Sequence, residues 1–223
     1  MSTFFVAIDG PAGSGKSSVS KQSARELGWG YLDTGAAYRA LTWAMQNLAG
    51  YELEALAAKN LPEEFPYEIS TNPDDYWVRV GETDVTEAIR SSVVAEAVSL
   101  VARVPQVREY MKWLTREIAA GCETPGIIVE GRDITTVVLP DAPVRLLLTA
   151  SEEVRLKRRS AEIGETETSK VARQVTQRDA SDAKVVDFMN PAEGVTLIDS
   201  SDLNFAQSVN AVLACISAAT KKD

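Results

Sequence analysis

Short, nearly continuous apolar runs alternate along this chain with stretches in which apolar residues recur every third or fourth position, the pattern of strands alternating with helices. Thr3 to Asp9 is an apolar, β-rich run ended by Gly10, and Lys16 to Leu27 reads as a helix with Val19 and Leu27 among polar residues. Tyr31 to Asp33 predicts a short second strand, and from about Gly35 the residues Ala37, Leu41, Ala44, Met45 and Leu48 recur at helical spacing. Pro105 opens a helix with Val107, Tyr110, Met111, Leu114 and Ile118 on one face, a position where proline is well tolerated. Gly126 to Glu130 and Val144 to Ala150 have the composition of strands buried on both faces. Val195 to Ile198 predicts a last strand, followed by a helix carrying Phe205, Val209, Val212, Leu213 and Ile216 on one stripe. A chain that starts βαβα and continues this way predicts an α/β fold: a parallel five-stranded sheet flanked by helices.

One stretch breaks the pattern. Between about 61 and 104, Pro62, Pro66 and Pro73 punctuate short β-like pieces (Tyr67 to Ser70, Tyr76 to Val80, Thr83 to Val85), and short helices follow. This predicts an α+β subdomain inserted into a core made of residues 1–60 and 105–223.

Composition narrows the class. At 45% hydrophobic and 25% charged over 223 residues, the chain is an ordinary globular protein, and its apolar runs are far shorter than the ~20 residues that span a bilayer. The amino terminus carries no export signal, and two well-separated cysteines, Cys122 and Cys215, fit buried thiols in a reducing cytoplasm. With no histidine, Ser-His-Asp and Cys-His catalysis and histidine zinc sites are excluded. A net charge of −9 disfavours nonspecific binding to nucleic acid or an anionic membrane. The charge is uneven, however: 61–104 is acid-rich and 145–178 base-rich, so an anionic ligand belongs with the latter.

Gly10-Pro11-Ala12-Gly13-Ser14-Gly15-Lys16-Ser17 fits G-x-x-x-x-G-K-[ST] between a predicted strand and a predicted helix, the context that makes it a P-loop. Its glycines let backbone N–H groups converge on phosphate oxygens, the helix amino terminus adds positive dipole, Lys16 supplies a charge for the transferring phosphoryl, and Ser17 is placed to ligate Mg²⁺. No N-K-x-D sequence and no D-x-x-G after the second strand is present, which argues against a GTPase. Three further stretches carry candidate chemistry. Leu32 to Arg39 puts Thr34 and Arg39 at the carboxyl end of the second strand, where a hydroxyl and a guanidinium can hold a second anion. Val129 to Thr135 puts Arg132 and Asp133 at the same sheet edge. Arg155-Leu156-Lys157-Arg158-Arg159, with Arg173, Arg178, Asp179 and Asp182 beyond, is the basic stretch.

GPAGSGKSS (10–18), YLDTGAAYRA (31–40), VPQVREYM (104–111), EGRDITTVVLPDA (130–142) and VRLKRR (154–159), with a weaker QRDASDA (177–183), resemble the bacterial cytidylate (CMP) kinases of the nucleoside monophosphate kinase group. These segments are spread along nearly the whole chain in the family's order. The resemblance implies transfer of the γ-phosphoryl of ATP to CMP or dCMP, with Mg²⁺, in pyrimidine nucleotide synthesis and salvage, by a cytoplasmic monomer. It implies that Gly10 to Ser18 bind ATP, that Arg155, Arg158 and Arg159 belong to a short helical lid within about 155–185, and that 61–104 is the monophosphate-binding subdomain. It further implies that Thr34, Arg39 and Arg132 contact the monophosphate, that Ser99, Arg108 and Asp133 read cytosine, and that Arg178 and Asp182 address the ribose and phosphate. Lys16, Arg132 and Arg178 would be the catalytic cations. One departure is visible: where many relatives read R-D-x-x-D-S-x-R, this chain has Val185 at the motif's last position, with Lys184 beside it. A P-loop kinase of another small acceptor such as UMP or shikimate, and a nucleotide-binding protein with degenerate catalysis, are the competing readings.

Overall fold

The computed structural model describes residues 3–58, 65–163, 179 and 187–221. Along the chain run β1 (Phe4–Asp9), α1 (Lys16–Leu27), β2 (Gly30–Asp33), α2 (Thr34–Asn47), α3 (Leu53–Ala58), β3 (Tyr67–Ile69), β4 (Val78–Val80) and β5 (Thr83–Asp84). A 3₁₀ turn (Ala88–Arg90) leads to α4 (Ser92–Val101), α5 (Pro105–Ala120), β6 (Gly126–Gly131), a wide helical turn (Ile134–Val138), β7 (Val144–Thr149), α6 (Glu152–Ile163), β8 (Thr196–Asp199) and α7 (Phe205–Thr220).

The main sheet is parallel, five-stranded and ordered β2-β6-β1-β7-β8, and β3-β4-β5 form a second, antiparallel sheet. Period-two alternation sorts the main sheet's side chains between its faces. Val6, Ile8 and Ile128 pack with Val19 and Ala24 of α1 and with Val209, Val212 and Ile216 of α7. Ala7, Ile127 and Val129 pack on the opposite face with Ala119 of α5 and Ile134. Each fully buried aliphatic side chain contributes roughly 1.5–3 kcal/mol, so the two layers hold the central strands firmly.

The segment around β3-β4-β5 does not close a core of its own. Val78, Val80, Val85 and Ile89 join Ala36, Ala40, Leu41 and Ala44 of α2 and Val107 and Met111 of α5 in one cluster. The alanines let the insert approach α2 closely. Leu48, expected on the apolar stripe of α2, is instead 40% exposed, because the helix ends at Asn47 and Leu48 turns to an extended conformation. Phe205 is likewise 53% exposed, at the first turn of α7.

This topology fixes where a ligand can sit. The chain leaves β1 for β2 on one side and reaches β7 and β8 on the other, so the strand order reverses beside β1. The crevice beyond the carboxyl ends of the strands at such a switch point is the binding place in open α/β sheets. Asp9, the last residue of β1, ties the neighbouring loop down there: its carboxylate accepts from Ile134 N (2.9 Å), Thr135 N (2.9 Å) and Thr135 Oγ1 (2.6 Å). Those bonds anchor the Ile134–Val138 turn, in which Val138 N reaches back to Asp133 O and Leu139 N to Ile134 O.

Candidate active site

The loop from Gly10 to Gly15 joins β1 to α1. Gly13 (φ 75°) and Gly15 (φ 86°) lie in the left-handed region that side-chain-bearing residues rarely adopt, which explains glycine at both places. A Cβ on Gly13 would collide with the backbone carbonyl of Arg155, so the loop lies directly against α6. Because α1 begins at Lys16, the amides of its first turn have no helical carbonyl to bond and are available to an anion. Pro11, Ala12, Gly13, Gly15, Lys16, Ser17 and Ser18 line a cavity of about 970 Å³. Gly10 and Ser14 are buried beneath it.

Strand register then brings two carboxylates to the mouth of this loop. Asp33 of β2 pairs in register with Glu130 of β6, which in turn is opposite Ile8 of β1. Glu130 is buried, with its Oε2 3.6 Å from Lys16 Nζ, and its Oε1 accepts from Ser17 Oγ (2.6 Å) and Tyr31 Oη (3.2 Å). Burial raises its pKa above the ordinary carboxylate value, an effect that Lys16 opposes and Asp33 reinforces. Asp33 is also buried, but the guanidinium of Arg39, bonded at 2.6 Å, outweighs the burial and holds its pKa below the ordinary value. Two adjacent carboxylates thus move in opposite directions, Glu130 up because burial dominates and Asp33 down because its Arg39 partner does.

The expected acceptor residues converge on the same cavity. Thr34, Arg39, Ser99, Arg108, Arg132 and Asp133 all line it, carried by α2, α4, α5 and the loop after β6. Thr34 donates its hydroxyl to Glu130 O (2.9 Å), and the helix cap position falls to Asp33. Arg108 Nη2 binds Asp133 Oδ2 at 2.7 Å, joining two residues that the resemblance assigns to base reading. Arg132 Nη1 binds Asp179 Oδ1 at 2.9 Å. Arg178 and Asp182, together with Lys184 and Val185, lie outside the described residues, as does the greater part of the expected lid.

Of the basic trio on α6, Arg158 and Arg159 line the cavity, while Arg155 is 8% exposed and supports the loop from below. Arg155 Nη1 donates to Ala12 O (3.0 Å) and Asp179 Oδ2 (2.6 Å). Arg158 donates to Ser14 O (3.1 Å), Ser200 Oγ (2.9 Å), Ser200 O (2.8 Å) and Leu203 O (3.2 Å). In this arrangement the two arginines act as struts between the loop, α6 and the end of β8.

Sequence reasoning named the cations but overlooked their counter-charges. Asp33, Glu130 and Asp179 each hold one or more of the arginines or lysine of the site. It also missed Lys21, Arg90 and Tyr76 on the cavity wall, where the Lys21 ammonium sits 5.0 Å and the Arg90 guanidinium 5.7 Å from the Tyr76 ring. Glu130 and Asp33 lie inside the quoted motifs and could have been found by asking which strand-end carboxylate neighbours each cation. Asp179 lies inside the quoted QRDASDA stretch too, but nothing local links it to Arg132, 47 residues away.

Against known proteins, the family model for cytidylate kinase matches residues 6–218. The chain belongs to the cytidylate kinase family. A cytidylate kinase of Cutibacterium acnes is 41% identical over 214 residues, covering 95% of each chain. One from Mycobacterium avium is 42% identical over 212 residues, covering 92% of this chain and 91% of its own. A solved structure of an uncharacterized protein from Eubacterium ventriosum matches 96% of this chain and 99% of its own with a TM-score of 0.52 at 12% identity, a likeness of fold alone. Membership in the cytidylate kinase family makes this chain a nucleotide-binding kinase.

The donor set at the cytidylate kinase P-loop also fits a hard divalent cation. The Ser17 hydroxyl and the Glu130 carboxylate supply neighbouring oxygens, and among the described residues no group of three or more His, Cys, Asp or Glu forms a protein cage. Mg²⁺ commonly takes one or two protein oxygens and completes its shell with water and substrate phosphates.

Proposed function

We propose that this cytidylate kinase family member transfers the γ-phosphoryl of ATP to CMP or dCMP, giving ADP and CDP or dCDP. The observation that carries the reading is the single cavity that joins the P-loop to the residues expected to hold a cytidine monophosphate. At about 970 Å³ it reaches the upper end of the usual range for ligand clefts. ATP occupies the loop side, with its phosphates on the first-turn amides of α1 and on Lys16. The monophosphate meets Arg39 and Arg132, and the cytosine faces Arg108, Asp133 and Ser99.

The acceptor phosphate oxygen is itself the nucleophile, so a strong general base is not needed and the lack of histidine is no obstacle. The protein's contribution is alignment and charge neutralisation. Lys16 accompanies the transferring phosphoryl, Arg132 and Arg39 fix the acceptor by planar, permanently charged forks, and Arg178 adds a further cation. Glu130 orients Lys16 and Ser17 through the contacts described above. Ser17 and Glu130 would hold Mg²⁺ together with the nucleotide phosphates, and the ion would supply additional neutralisation of phosphate charge. Arg158 braces the phosphate-binding loop as described above, and Arg159, on the cavity wall, adds a cation on the nucleotide side.

The two cysteines are free thiols and both substrate sites lie on one chain, which supports a monomer working in the reducing cytoplasm in pyrimidine nucleotide metabolism. A coupled ADP-release assay over CMP, dCMP, UMP, AMP and shikimate tests the reading. CMP and dCMP should give the highest kcat/KM; a clear preference for another acceptor, or ATP binding without turnover of any, would overturn it.

A further inference from the structure

Asp179 is 9% exposed and bonds to three separate parts of the site. Its Oδ1 accepts from the Ala12 amide (3.2 Å) and from Arg132 Nη1 (2.9 Å), and its Oδ2 accepts from Arg155 Nη1 (2.6 Å). The Arg155 nitrogen also donates to Ala12 O at 3.0 Å, so residue 12 of the P-loop is gripped through both its amide and its carbonyl. On the other side of this knot, the Arg132 guanidinium lies over the ring of Phe188 at 4.3 Å, and Phe188 is 1% exposed.

We propose that Asp179, with Phe188, is a positioning residue for Arg132: the carboxylate holds the edge of the guanidinium, the ring supports its face, and the Ala12 bond ties both to the P-loop. A guanidinium is a flat fork whose value in binding phosphate depends on its plane, and an edge contact with a face contact fixes a plane where either alone leaves rotation. The anchor to Ala12 sets that plane relative to the loop that holds the donor. The carboxylate is suited to this because it stays ionised: burial pushes its pKa up, but Arg132 and the hydrogen bonds around it bring it below the ordinary value. The arrangement keeps the cation of the acceptor side in fixed register with the phosphate-binding loop of the donor side.

The inference rests on the reading of Arg132 as a ligand of the acceptor phosphate. The test is a double-mutant cycle of Asp179→Ala and Arg132→Ala, read as kcat/KM for CMP at saturating ATP, with thermal denaturation of every variant. Asp179→Ala alone should lower kcat/KM about 100-fold, the order expected for a reacting group displaced by an ångström. In the Arg132→Ala background the same substitution should cost no more than about tenfold, because only the bonds to Ala12 and Arg155 then remain to be lost. A full second loss in that background, or no loss in the wild type, would overturn the proposal. Should Asp179→Ala fail to fold, Asp179→Asn takes its place in the cycle, and Asp179→Glu should recover part of the activity that Asn loses. Wild-type turnover of CMP separates the two levels: its absence would sink the functional reading, whereas turnover with an additive cycle would sink only the role of Asp179.

Discussion

Lys16→Ala should do more than abolish turnover, because Lys16 is the cation nearest the buried Glu130 carboxylate. At 3.6 Å and an effective dielectric near 20, the pair interacts by roughly 4–5 kcal/mol. Both side chains are well shielded, at 15% and 2% exposure, so solvent screening removes little of this. Without Lys16, burial and Asp33 both continue to push the Glu130 pKa up, opposed by the Ser17 hydrogen bond and by Arg39 alone among the causes that lowered it. Loss of that attraction leaves the Glu130 pKa higher still, so the carboxyl takes a proton sooner than remain charged. A folded carboxyl that holds its proton to higher pH than the unfolded one releases that proton on unfolding. Stability of the variant should therefore fall as pH rises from about 4.3, the unfolded glutamate value, through the folded value. Relative to wild type we expect a deficit of about 2–4 kcal/mol at pH 8 that shrinks toward zero near pH 5. Urea denaturation at half-unit pH steps measures it. Lys16→Ala/Glu130→Gln should flatten the profile and recover stability, while kcat stays lowered by about a thousandfold. A Lys16→Ala protein as stable as wild type at pH 8, with no slope, would refute the coupling.

Other outcomes follow from the same contacts. Asp133→Asn disturbs both the Arg108 pairing and the face offered to the cytosine amine, and should narrow the kcat/KM preference for CMP over UMP by about tenfold; competition between the two acceptors reads the ratio. Arg158→Ala removes the strut from α6 to Ser14, Ser200 and Leu203, and should raise KM for ATP more than KM for CMP while lowering Tm in a thermal scan. Asp9→Ala leaves the amides of Ile134 and Thr135 without their acceptor, which should cost about 2–4 kcal/mol in denaturant titrations and weaken CMP binding, since Arg132 and Asp133 immediately precede that turn.

The parts of this molecule that were legible in its sequence are those governed by local rules. Alternation and apolar runs set the five parallel strands within a residue or two, and Lys16–Leu27 appears at the predicted bounds. The P-loop could be read because its glycines answer to backbone geometry at Gly13 and Gly15. The phosphate-directed cations could be named because phosphate chemistry demands them. Of their carboxylate partners, Asp33 and Glu130 sit at strand ends inside the motifs and were within reach of the sequence, whereas the Arg132–Asp179 contact depends on tertiary approach across 47 residues. Nor does hydropathy distinguish an insert with its own core from one that shares its neighbours'. The prolines between 61 and 104 mark a change of texture, but only packing shows Val78 and Ile89 in the same cluster as Leu41.

That shared cluster has a mechanical consequence. Arg39 lies on α2, a helix whose alanine-lined flank is welded to β4 and the 3₁₀ turn of the insert. Close-packed interiors resist gradual deformation and transmit displacement instead. The insert therefore cannot shift against the sheet while α2 stays still, unless the cluster shears and exposes Val80, Val85 and Ile89 to water. Any displacement of the insert is therefore passed to Arg39 through the helix that carries it.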